Sequence, residues 1–422
     1  MSERDFSVVV FGATGVTGRQ VAAHLARRAG SADVRWAAAG RDPGKIERVL
    51  GEIGVTAPQV LAADIDDPES LRAMAARTDV VLDLVGPYTL YGEPVIEACI
   101  EAGAHYADLT GEMVFVRRMI DAHGEKAKER GVKIVNTSGF ESLPVDLCVL
   151  LAAETARERW DEGLAVVDVD ADIPLPSGRL STADLLSGGT LQSMAVMLEE
   201  QDGRALVDPG VLLDEREAAA VRRVSPIAIA PRFDDRGQPV GPMMPGPFIN
   251  PMVIHRSAAL LAAIEERPFE PFRYREGVVT SLGRPAPAPV RLAAAAVSTG
   301  LQAGFRALAK ARPSTRLRAA GLIRKRLPSS GFGPQGSRLE DWHWTLNVRA
   351  ATSGGHHVRV DLDADGQPGY LTTATMLAEA GLLLAEPGAT PDRSGFLTPA
   401  LAIGTQHLER FHPAGARFRI AS

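Results

Sequence analysis

The feature that most constrains this chain is a short apolar run that leads into three regularly spaced glycines. Phe6–Phe11 has the composition of a buried strand, and the turn that follows joins it to an amphipathic helical pattern. The first glycine of such a turn permits a tight bend, the second lets phosphates approach the backbone, and the third lets the helix pack closely on the strand. Free N–H groups at the helix start favour an anion. We therefore expect a dinucleotide here, although a glycine-rich turn without a ligand is the alternative. The predicted binding residues are Gly12, Thr14, Gly15, Val16, Thr17 and Gly18.

Strand and helix patterns alternate regularly over residues 6–136. This alternation is typical of βαβ units around a parallel sheet. The sequence predicts an α/β fold whose N-terminal part, residues 1–145, is a Rossmann domain with a doubly wound parallel sheet. The predicted strands are Phe6–Phe11, Val34–Ala39, Gln59–Ala62, Val80–Val85, His105–Asp108 and Val132–Asn136.

The pattern changes after Pro144, where a second domain is predicted. Apolar and acidic residues alternate in its first strand, which indicates a strand with one buried face. We interpret residues 146–369 as an α+β substrate domain, and the helices within about 370–411 as candidates to pack back on the Rossmann domain. The predicted elements are the strands Leu164–Ile173, Trp342–Ala350 and Val358–Leu362 and the closing helices Thr372–Leu384 and Pro399–Phe411.

Composition narrows the class of protein. Of the 422 residues, 45% are hydrophobic and 23% charged, which is typical of globular domains, and the net charge of −6 favours no nucleic-acid partner. Two cysteines, Cys99 and Cys148, suit a reducing compartment better than a disulfide framework. No signal-peptide pattern opens the chain, and no apolar run approaches the ~18–20 residues of a membrane span. These observations predict a cytoplasmic protein.

The residues after the second predicted strand decide between NAD and NADP. An NAD site places Asp or Glu there to bind the ribose 2′-hydroxyl, whereas this chain has Arg41. A guanidinium binds a 2′-phosphate that a carboxylate would repel. We therefore expect NADP(H), against the alternative of a solvated surface arginine. Asp42 is a candidate helix cap, and Asp64, after the third strand, is a candidate for the adenine region or for a cap.

Three loops at the carboxyl ends of later strands are expected to surround the nicotinamide. Gly86, Pro87 and Tyr88 form the first, and Glu141 lies in the third. Reduction of a double bond needs a proton donor, so Tyr88 and Glu141 are the candidate catalytic residues, although packing or capping roles are the alternative for each. No His or Cys cluster has metal-ligand spacing, so no metal site is predicted.

These same loops resemble a known family. GPYTLYGEPVIEACIEAGAHYADLTGE (86–112) and SGFESLPVDL (138–147) are similar to signature stretches of saccharopine dehydrogenase-like oxidoreductases, and so are GYLTTATMLAEAGLLLA (369–385) and GFLTPALAIG (395–404). The resemblance is greatest to the bacterial trans-acting enoyl reductases and is loosest between Gly203 and Trp342. It implies a Rossmann domain, NADP and a substrate domain. An amino-acid-binding arginine set is not evident, which argues against lysine-pathway activity.

A basic and apolar segment, 284–338, stands out in this acidic chain. No acidic residue occurs between Glu276 and Glu340. Such a segment can contact a membrane peripherally or bind an acidic carrier domain, and the alternative is a solvated face over ordinary core. Its basic residues are Arg284, Arg291, Arg306, Lys310, Arg312, Arg316, Arg318, Arg324, Lys325, Arg326 and Arg338.

Three functions are open at this point. The first is an NADPH-dependent enoyl reductase acting on the C=C bond of a lipid or polyketide thioester. The second is an NADP-dependent reductase of an imine or ketone. The third is a non-catalytic protein that binds NADP(H) or lipid. A hydrophobic acyl or polyketide substrate is expected for the first, carried by an acidic carrier domain in one version of it. A homodimer is also left open.

Overall fold

The computed structural model describes residues 4–30, 34–174, 188–242, 246–279, 287–325 and 339–421. Two seven-stranded sheets organise these residues. The first sheet is parallel throughout its registered pairs, and the second is mixed.

The first sheet is built mainly from the N-terminal part of the chain. Its order is β13-β6-β5-β4-β1-β2-β3, so the chain crosses from one half of the sheet to the other between β3 and β4. This is the doubly wound Rossmann order with one extra strand, and the predicted fold class is confirmed. The strands are β1 Phe6–Phe11, β2 Trp36–Gly40, β3 Val60–Ala62, β4 Thr78–Asp83, β5 His105–Asp108, β6 Lys133–Val135 and β13 Gly395–Leu397.

Helices cover both faces of this sheet because β1, β2 and β4 are apolar on both sides. Two of the helices begin at aspartate caps: Asp42 accepts from Lys45 N at 2.9 Å, and Asp67 accepts from Glu69 N at 3.1 Å. Proline follows each cap at the first helical position, where its missing N–H is tolerated. The helices are α1 Val16–Ala29, α2 Pro43–Gly51, α3 Pro68–Ala75, α4 Tyr88–Ala102 and α5 Met113–Glu129.

The second sheet has the order β14-β12-β11-β7-β10-β9-β8. Its core forms where alternate apolar residues of β7, β11 and β12 pack against helix α6. The strands are β7 Leu164–Asp172, β8 Arg232–Phe233, β9 Pro239–Gly241, β10 Arg273–Val279, β11 His343–Thr352, β12 His357–Asp365 and β14 Ala416–Ala421. The helices are α6 Leu143–Trp160, α7 Gly188–Glu199, α8 Glu215–Val224, α9 Asn250–Ile264, α10 Ala288–Ala309 and α11 Pro313–Lys325.

The C-terminal part of the chain contacts both sheets. Helix α12, Thr373–Ala385, packs against α1, where buried Glu379 binds His24 Nε2 at 2.7 Å and Arg28 Nε at 2.8 Å. Strand β13 then pairs with β6 at the edge of the Rossmann sheet. The final strand, β14, pairs with β12 in the second sheet. The bounds 1–145 and 146–369 stay predictions, since the last segment belongs to both sheets.

The closing helix predicted over Pro399–Phe411 is wrong beyond its first turn. Helix α13 covers only Pro399–Ile403, and Gly404, with φ +75°, ends it. A 3-10 turn over Leu408–Ala414 follows, and the chain ends in a strand. A positive φ is easily adopted by glycine and ends a helix, which explains the difference.

Candidate active site

The glycine turn between β1 and α1 has the geometry of a phosphate cradle. Gly12 has φ +91°, and a Cβ there would lie 2.8 Å from Val85 Cγ2. A Cβ on Gly18 would lie 2.3 Å from Gly12 O, so the third glycine lets the helix pack on the turn. Gly15 precedes α1 and has no side chain to cap the first N–H groups of the helix. The turn therefore fits a pyrophosphate held by backbone N–H groups.

The other predicted residues of this turn surround the same helix start. Thr14 lies in the turn, and its carbonyl accepts a 3.1 Å hydrogen bond from Arg19 Nε. Val16 and Thr17 are the first two residues of α1. Their N–H groups are among those that an α-helix leaves without an internal partner. Their roles in binding stay predictions.

Arg41 and Asp64 follow neighbouring strands at the carboxyl edge of the sheet. Arg41 comes directly after β2, is exposed, and has no ion-pair partner among the residues that the structure describes. Asp64 follows β3, and its Oδ1 accepts from Asp66 N at 3.1 Å in a local turn. Because β2 and β3 are adjacent and parallel, the two residues lie where the adenosine half of a dinucleotide binds a Rossmann sheet.

The loop after β4 brings Tyr88 into the protein interior. Gly86 is exposed, the Gly86–Pro87 peptide is cis, and Pro87 precedes helix α4. The Tyr88 hydroxyl donates to Asp83 O at 3.0 Å and accepts from Leu109 N at 3.3 Å. Burial raises the pKa of Tyr88, with smaller contributions from nearby carboxylates. These contacts join two strand ends and do not favour Tyr88 as a proton donor, so that role stays a prediction.

A buried polar network lies beneath the same strand ends. Tyr106 Oη donates to Asp108 Oδ2 at 2.9 Å and lies 3.1 Å from Asp83 Oδ2, and Asn136 Nδ2 donates to Asp108 at 2.7 Å. Burial raises the pKa of Asp83, and it raises that of Asp108 to about 6. Asp108 Oδ1 also accepts from Thr110 N and from Thr137 N, both at 3.0 Å. The network fixes the loops that surround the expected nicotinamide position.

Glu112 precedes α5 in the chain, but its side chain caps the start of α4. Its carboxylate accepts from Tyr88 N at 3.1 Å and from Thr89 N at 2.7 Å, at the start of α4. Ser193 on α7 donates to the same carboxylate at 2.7 Å. A carboxylate at a helix N-terminus is favoured by the helix dipole. Glu112 therefore has a structural role and also brings α7 over this edge of the sheet.

Two glutamates line a small cavity where the Rossmann loops meet the second sheet. Glu141 lies in the loop after β6, and Glu276 lies on β10. The cavity has a volume of about 10 Å³, enough for roughly one water molecule. Burial raises the pKa of Glu141, and it raises that of Glu276 to about 7. Glu276 is thereby suited to hold a proton near neutral pH, and the pKa of Glu141 is shifted in the same direction.

Hydrogen bonds from two residues position Glu276. Its Oε2 accepts from Tyr274 Oη at 2.6 Å and from Asn250 Nδ2 at 2.7 Å. Ser142 Oγ donates in turn to Asn250 Oδ1 at 2.6 Å, which links the network to the start of α6. Glu276 Oε1 is buried and has no hydrogen-bond partner within the described part of the chain. Sequence reasoning missed Asn250 and Glu276, which follow the glycine turn by more than 200 residues.

A larger cavity, of about 360 Å³, lies elsewhere, between α6, α9 and the segment before β10. Asp146 is one of its lining residues, and the Asp146 carboxylate accepts from Ser257 Oγ at 2.6 Å and from Ala400 N at 2.9 Å. Other charged residues, among them Glu154 and Arg157, also line this cavity. Among the residues that the structure describes, it shares no lining residue with the smaller cavity or the glycine turn, so size alone does not make it the active site.

Among the described residues, one group of three exposed or half-exposed side chains has the spacing that could hold a metal ion. Glu93, Glu97 and His123 place ligand atoms within 4.8 Å of one another on the outer surface of α4 and α5. His123 Nε2 lies 3.0 Å from Glu93 Oε1, the geometry of a surface ion pair. Acidic groups at a surface commonly cluster without a metal.

The matching family model and the named relatives agree on the family. The saccharopine dehydrogenase NADP binding domain matches residues 8–135. A Mycobacterium tuberculosis protein named as a trans-acting enoyl reductase is 36% identical, with 98% of this chain and 96% of that protein aligned. The trans-acting enoyl reductases of Mycobacterium bovis and Mycobacterium leprae are 34% identical, covering 98% of this chain and 97% of theirs. The solved structure of saccharopine dehydrogenase (L-Glu forming) from Saccharomyces cerevisiae is similar at 14% identity and a TM-score of 0.48, covering 99% of this chain and 100% of that one.

The matched domain covers the glycine turn, Arg41 and Asp64, which confirms the prediction of NADP(H) as cofactor. The relatives align over nearly their full length, so the likeness is not confined to that domain. The protein is an NADP-dependent oxidoreductase, and it belongs to the saccharopine dehydrogenase-like family of trans-acting enoyl reductases.

Proposed function

We propose that this protein uses NADPH to reduce the C=C bond of an enoyl thioester on a lipid or polyketide chain. The names of its relatives support this reaction class. The polar groups gathered at the carboxyl edge of the Rossmann sheet support it independently, because ligands of such sheets bind at this edge.

NADPH, when bound, supplies a hydride for the β-carbon of the enoyl group. The backbone of Gly12–Gly18 and the start of α1 hold its pyrophosphate, and the Arg41 guanidinium holds its 2′-phosphate. Asp64 is assigned to the adenosine region, while Gly86 and Pro87 border the nicotinamide end. Each assignment follows from the position of the residue at the end of its strand.

The paired glutamates are the observation that carries the chemical proposal. Glu141 and Glu276 line one cavity beside the loop after β6, and burial raises the pKa of each. Reduction adds one hydride and one proton across the double bond and leaves the thioester intact. Glu141 donates the proton to the α-carbon, because it lies on the loop that borders the expected nicotinamide position.

Glu276 acts as a positioning residue in this proposal. Tyr274 and Asn250 bind one of its oxygens, and the other is buried without a hydrogen-bond partner among the described residues, in a side chain that lines the same cavity as Glu141. Because burial raises the pKa of Glu276 to about 7, this side chain can stay uncharged near neutral pH beside the cavity that Glu141 also lines. The hydroxyl of Tyr88 is already hydrogen-bonded to Asp83 O and Leu109 N, which favours Glu141 over Tyr88 as the proton donor.

The substrate is expected to arrive attached to a carrier. Two forms are distinguishable by experiment: a coenzyme A thioester and a thioester on an acidic carrier domain. In both, the acyl chain is hydrophobic, and the carbonyl beside the double bond makes the β-carbon an acceptor.

The test is NADPH consumption with enoyl thioesters of increasing chain length, on coenzyme A and on a carrier domain. We expect turnover with at least one thioester and a saturated acyl product. Imine and ketone substrates serve as the comparison. Turnover restricted to them, or none with any thioester despite tight NADPH binding, would overturn the proposal.

A further inference from the structure

Helix α10 has its apolar side facing outward. Its exposed residues include not one polar or charged side chain: they are Ala288, Pro289, Val290, Leu292, Ala293, Ala296, Val297, Gly300, Leu301, Ala303, Gly304 and Ala307. Val297 and Leu301 are 64% and 66% exposed. A surface helix of a soluble protein normally shows the reverse arrangement. These exposed positions recur from Ala288 to Ala307, along about 30 Å of helix.

The polar residues of α10 lie on its buried or half-buried side. Gln302 is buried, Ser298 Oγ donates to Pro242 O, and the remaining polar residues are half-buried. Ala295 packs so closely on β9 that a Cβ on Gly241 would lie 3.0 Å from its Cα. The helix is therefore anchored through its polar side, and its outward apolar face is set by this packing.

Basic side chains follow α10 on the turn after it and on α11. Lys310, Arg312, Arg318 and Lys325 are exposed and have no hydrogen-bond or ion-pair partner among the described residues. Two other cations of α11 have partners within the protein. Buried Arg316 donates to the carbonyls of Glu200 and Gln201, and Arg324 binds Glu199 at 2.7 Å. Lys310 and Arg312 thus lie directly at the C-terminal end of the apolar helix, and further unpaired cations follow on α11, in a chain whose net charge is −6.

We propose that α10, flanked by these cations, is a docking surface for an anionic lipid bilayer. An apolar helical face that enters the headgroup region, with lysine and arginine at its border, is the arrangement of interfacial helices. None of the described helices is long and apolar enough to cross a bilayer, so the contact is peripheral. A second copy pairing through this segment would offer these cations no carboxylate, because residues 277–339 contain no Asp or Glu.

The docking face is connected to the candidate active site by direct packing. Phe305, on the inner side of α10, contacts Phe248 with ring centroids 5.0 Å apart. Ile249 follows, and a Cβ on Gly111 would lie 2.8 Å from its Cδ1. Asn250, the next residue, binds Glu276. The inner side of α10 is therefore linked to the candidate active site through the consecutive residues Phe248, Ile249 and Asn250.

The test is flotation of the full chain with vesicles of phosphatidylcholine, with and without phosphatidylglycerol. The variant carries Leu292→Glu, Val297→Glu and Leu301→Glu. The matched control carries Ile53→Glu, Phe233→Glu and Ile420→Glu, which are exposed apolar residues elsewhere and change the net charge equally. Unfolding temperature and NADPH affinity report whether both variants fold.

We expect the wild type and the control to float with anionic vesicles, and the α10 variant to lose at least about tenfold in bound fraction. Arg318→Gln with Lys325→Gln should weaken binding to anionic vesicles, and added salt should do the same. The proposal fails if the wild type does not float with anionic vesicles, or if the α10 variant floats as well as the control. It also fails if the wild type is dimeric and only the α10 variant becomes monomeric, because a second copy then covers the face. None of these outcomes depends on enoyl reductase activity.

Discussion

The Tyr274 hydroxyl donates a 2.6 Å hydrogen bond to Glu276 Oε2, while Glu276 Oε1 is buried without a partner among the described residues. This half-satisfied carboxyl is costly when ionised, because a buried charge needs partners on both oxygens. Burial accordingly raises the pKa of Glu276 to about 7, and the bonds from Tyr274 and Asn250 offset only part of that rise.

This pKa makes the stability of the protein depend on pH. An unfolded glutamate has a pKa of about 4.3, so between pH ~4.3 and ~7 the folded state binds more protons than the unfolded state. The free energy of unfolding therefore falls as pH rises through this window and levels off above it. Urea unfolding at pH 5 and pH 8 measures this effect. Between these pH values we expect the free energy of unfolding to fall by roughly 3 kcal/mol more in the wild type than in Glu276→Gln. The exposed Glu47→Gln is the control, and an equal pH dependence in wild type and Glu276→Gln would refute the assignment.

Substitution of Glu141 separates proton donation from cofactor binding. Glu141→Gln keeps the shape of the side chain but removes the acid, so we expect kcat to fall about 100-fold with little change in NADPH affinity. Glu158→Gln, on the exposed side of α6, should retain full activity. Single-turnover NADPH oxidation measures the chemical step. A rate in Glu141→Gln equal to that of Glu158→Gln would assign the proton to another group.

Arg41 should decide between the two nicotinamide cofactors. Arg41→Ala removes the cation assigned to the 2′-phosphate, so the Kd for NADPH should rise about 10- to 100-fold while that for NADH stays nearly constant. Fluorescence titration with both cofactors measures this ratio. Arg48→Ala, on the exposed side of α2, is the matched control. The assignment fails if Arg41→Ala weakens both cofactors equally.

Two glycines of the turn should respond differently to alanine. A Cβ on Gly18 would meet Gly12 O at 2.3 Å, so Gly18→Ala should lower the unfolding temperature as well as NADPH affinity. The nearest atom to a Cβ on Gly15 is 3.5 Å away, and its φ is −68°, so Gly15→Ala should fold normally. Its methyl group would still obstruct phosphate approach. Calorimetry with and without NADPH distinguishes the two effects, and tight NADPH binding by Gly15→Ala would place the pyrophosphate elsewhere.

Local patterns explain why the Rossmann part was predictable from sequence. Strand, turn and helix follow one another directly around Gly12–Gly18, and each strand end supplies its own loop residues. The order of the strands then follows from right-handed crossovers between parallel strands. Arg41 and Glu141 could be placed at one sheet edge for the same reason.

The network around Glu276 could not be predicted in this way. Asn250 begins α9 and Glu276 lies on β10, so their meeting with Glu141 depends on how the second sheet packs on the Rossmann loops. No local periodicity encodes such a contact. Tyr88 was singled out as a proton-capable residue, yet the tertiary structure turns its hydroxyl toward Asp83.

Two further features show a pattern in the sequence whose structural meaning only the packing decides. Apolar residues alternate with Arg417 and Arg419 in β14, a strand pattern at the end of the chain. The sequence does not show whether the apolar positions of α10 face the core, a membrane or a partner. Periodicity alone does not tell which side of a helix is buried. Packing against β9 decides it.

The most direct test of the proposed reaction is to follow a deuterium label from NADPH into the acyl product. With NADPH carrying deuterium at the transferred position, mass spectrometry should find one deuterium at the β-carbon of a saturated thioester. In deuterated water with ordinary NADPH, the label should appear at the α-carbon instead. NADPH that binds tightly but transfers no deuterium to any acyl thioester, or transfers it only to an imine or ketone, would contradict the account.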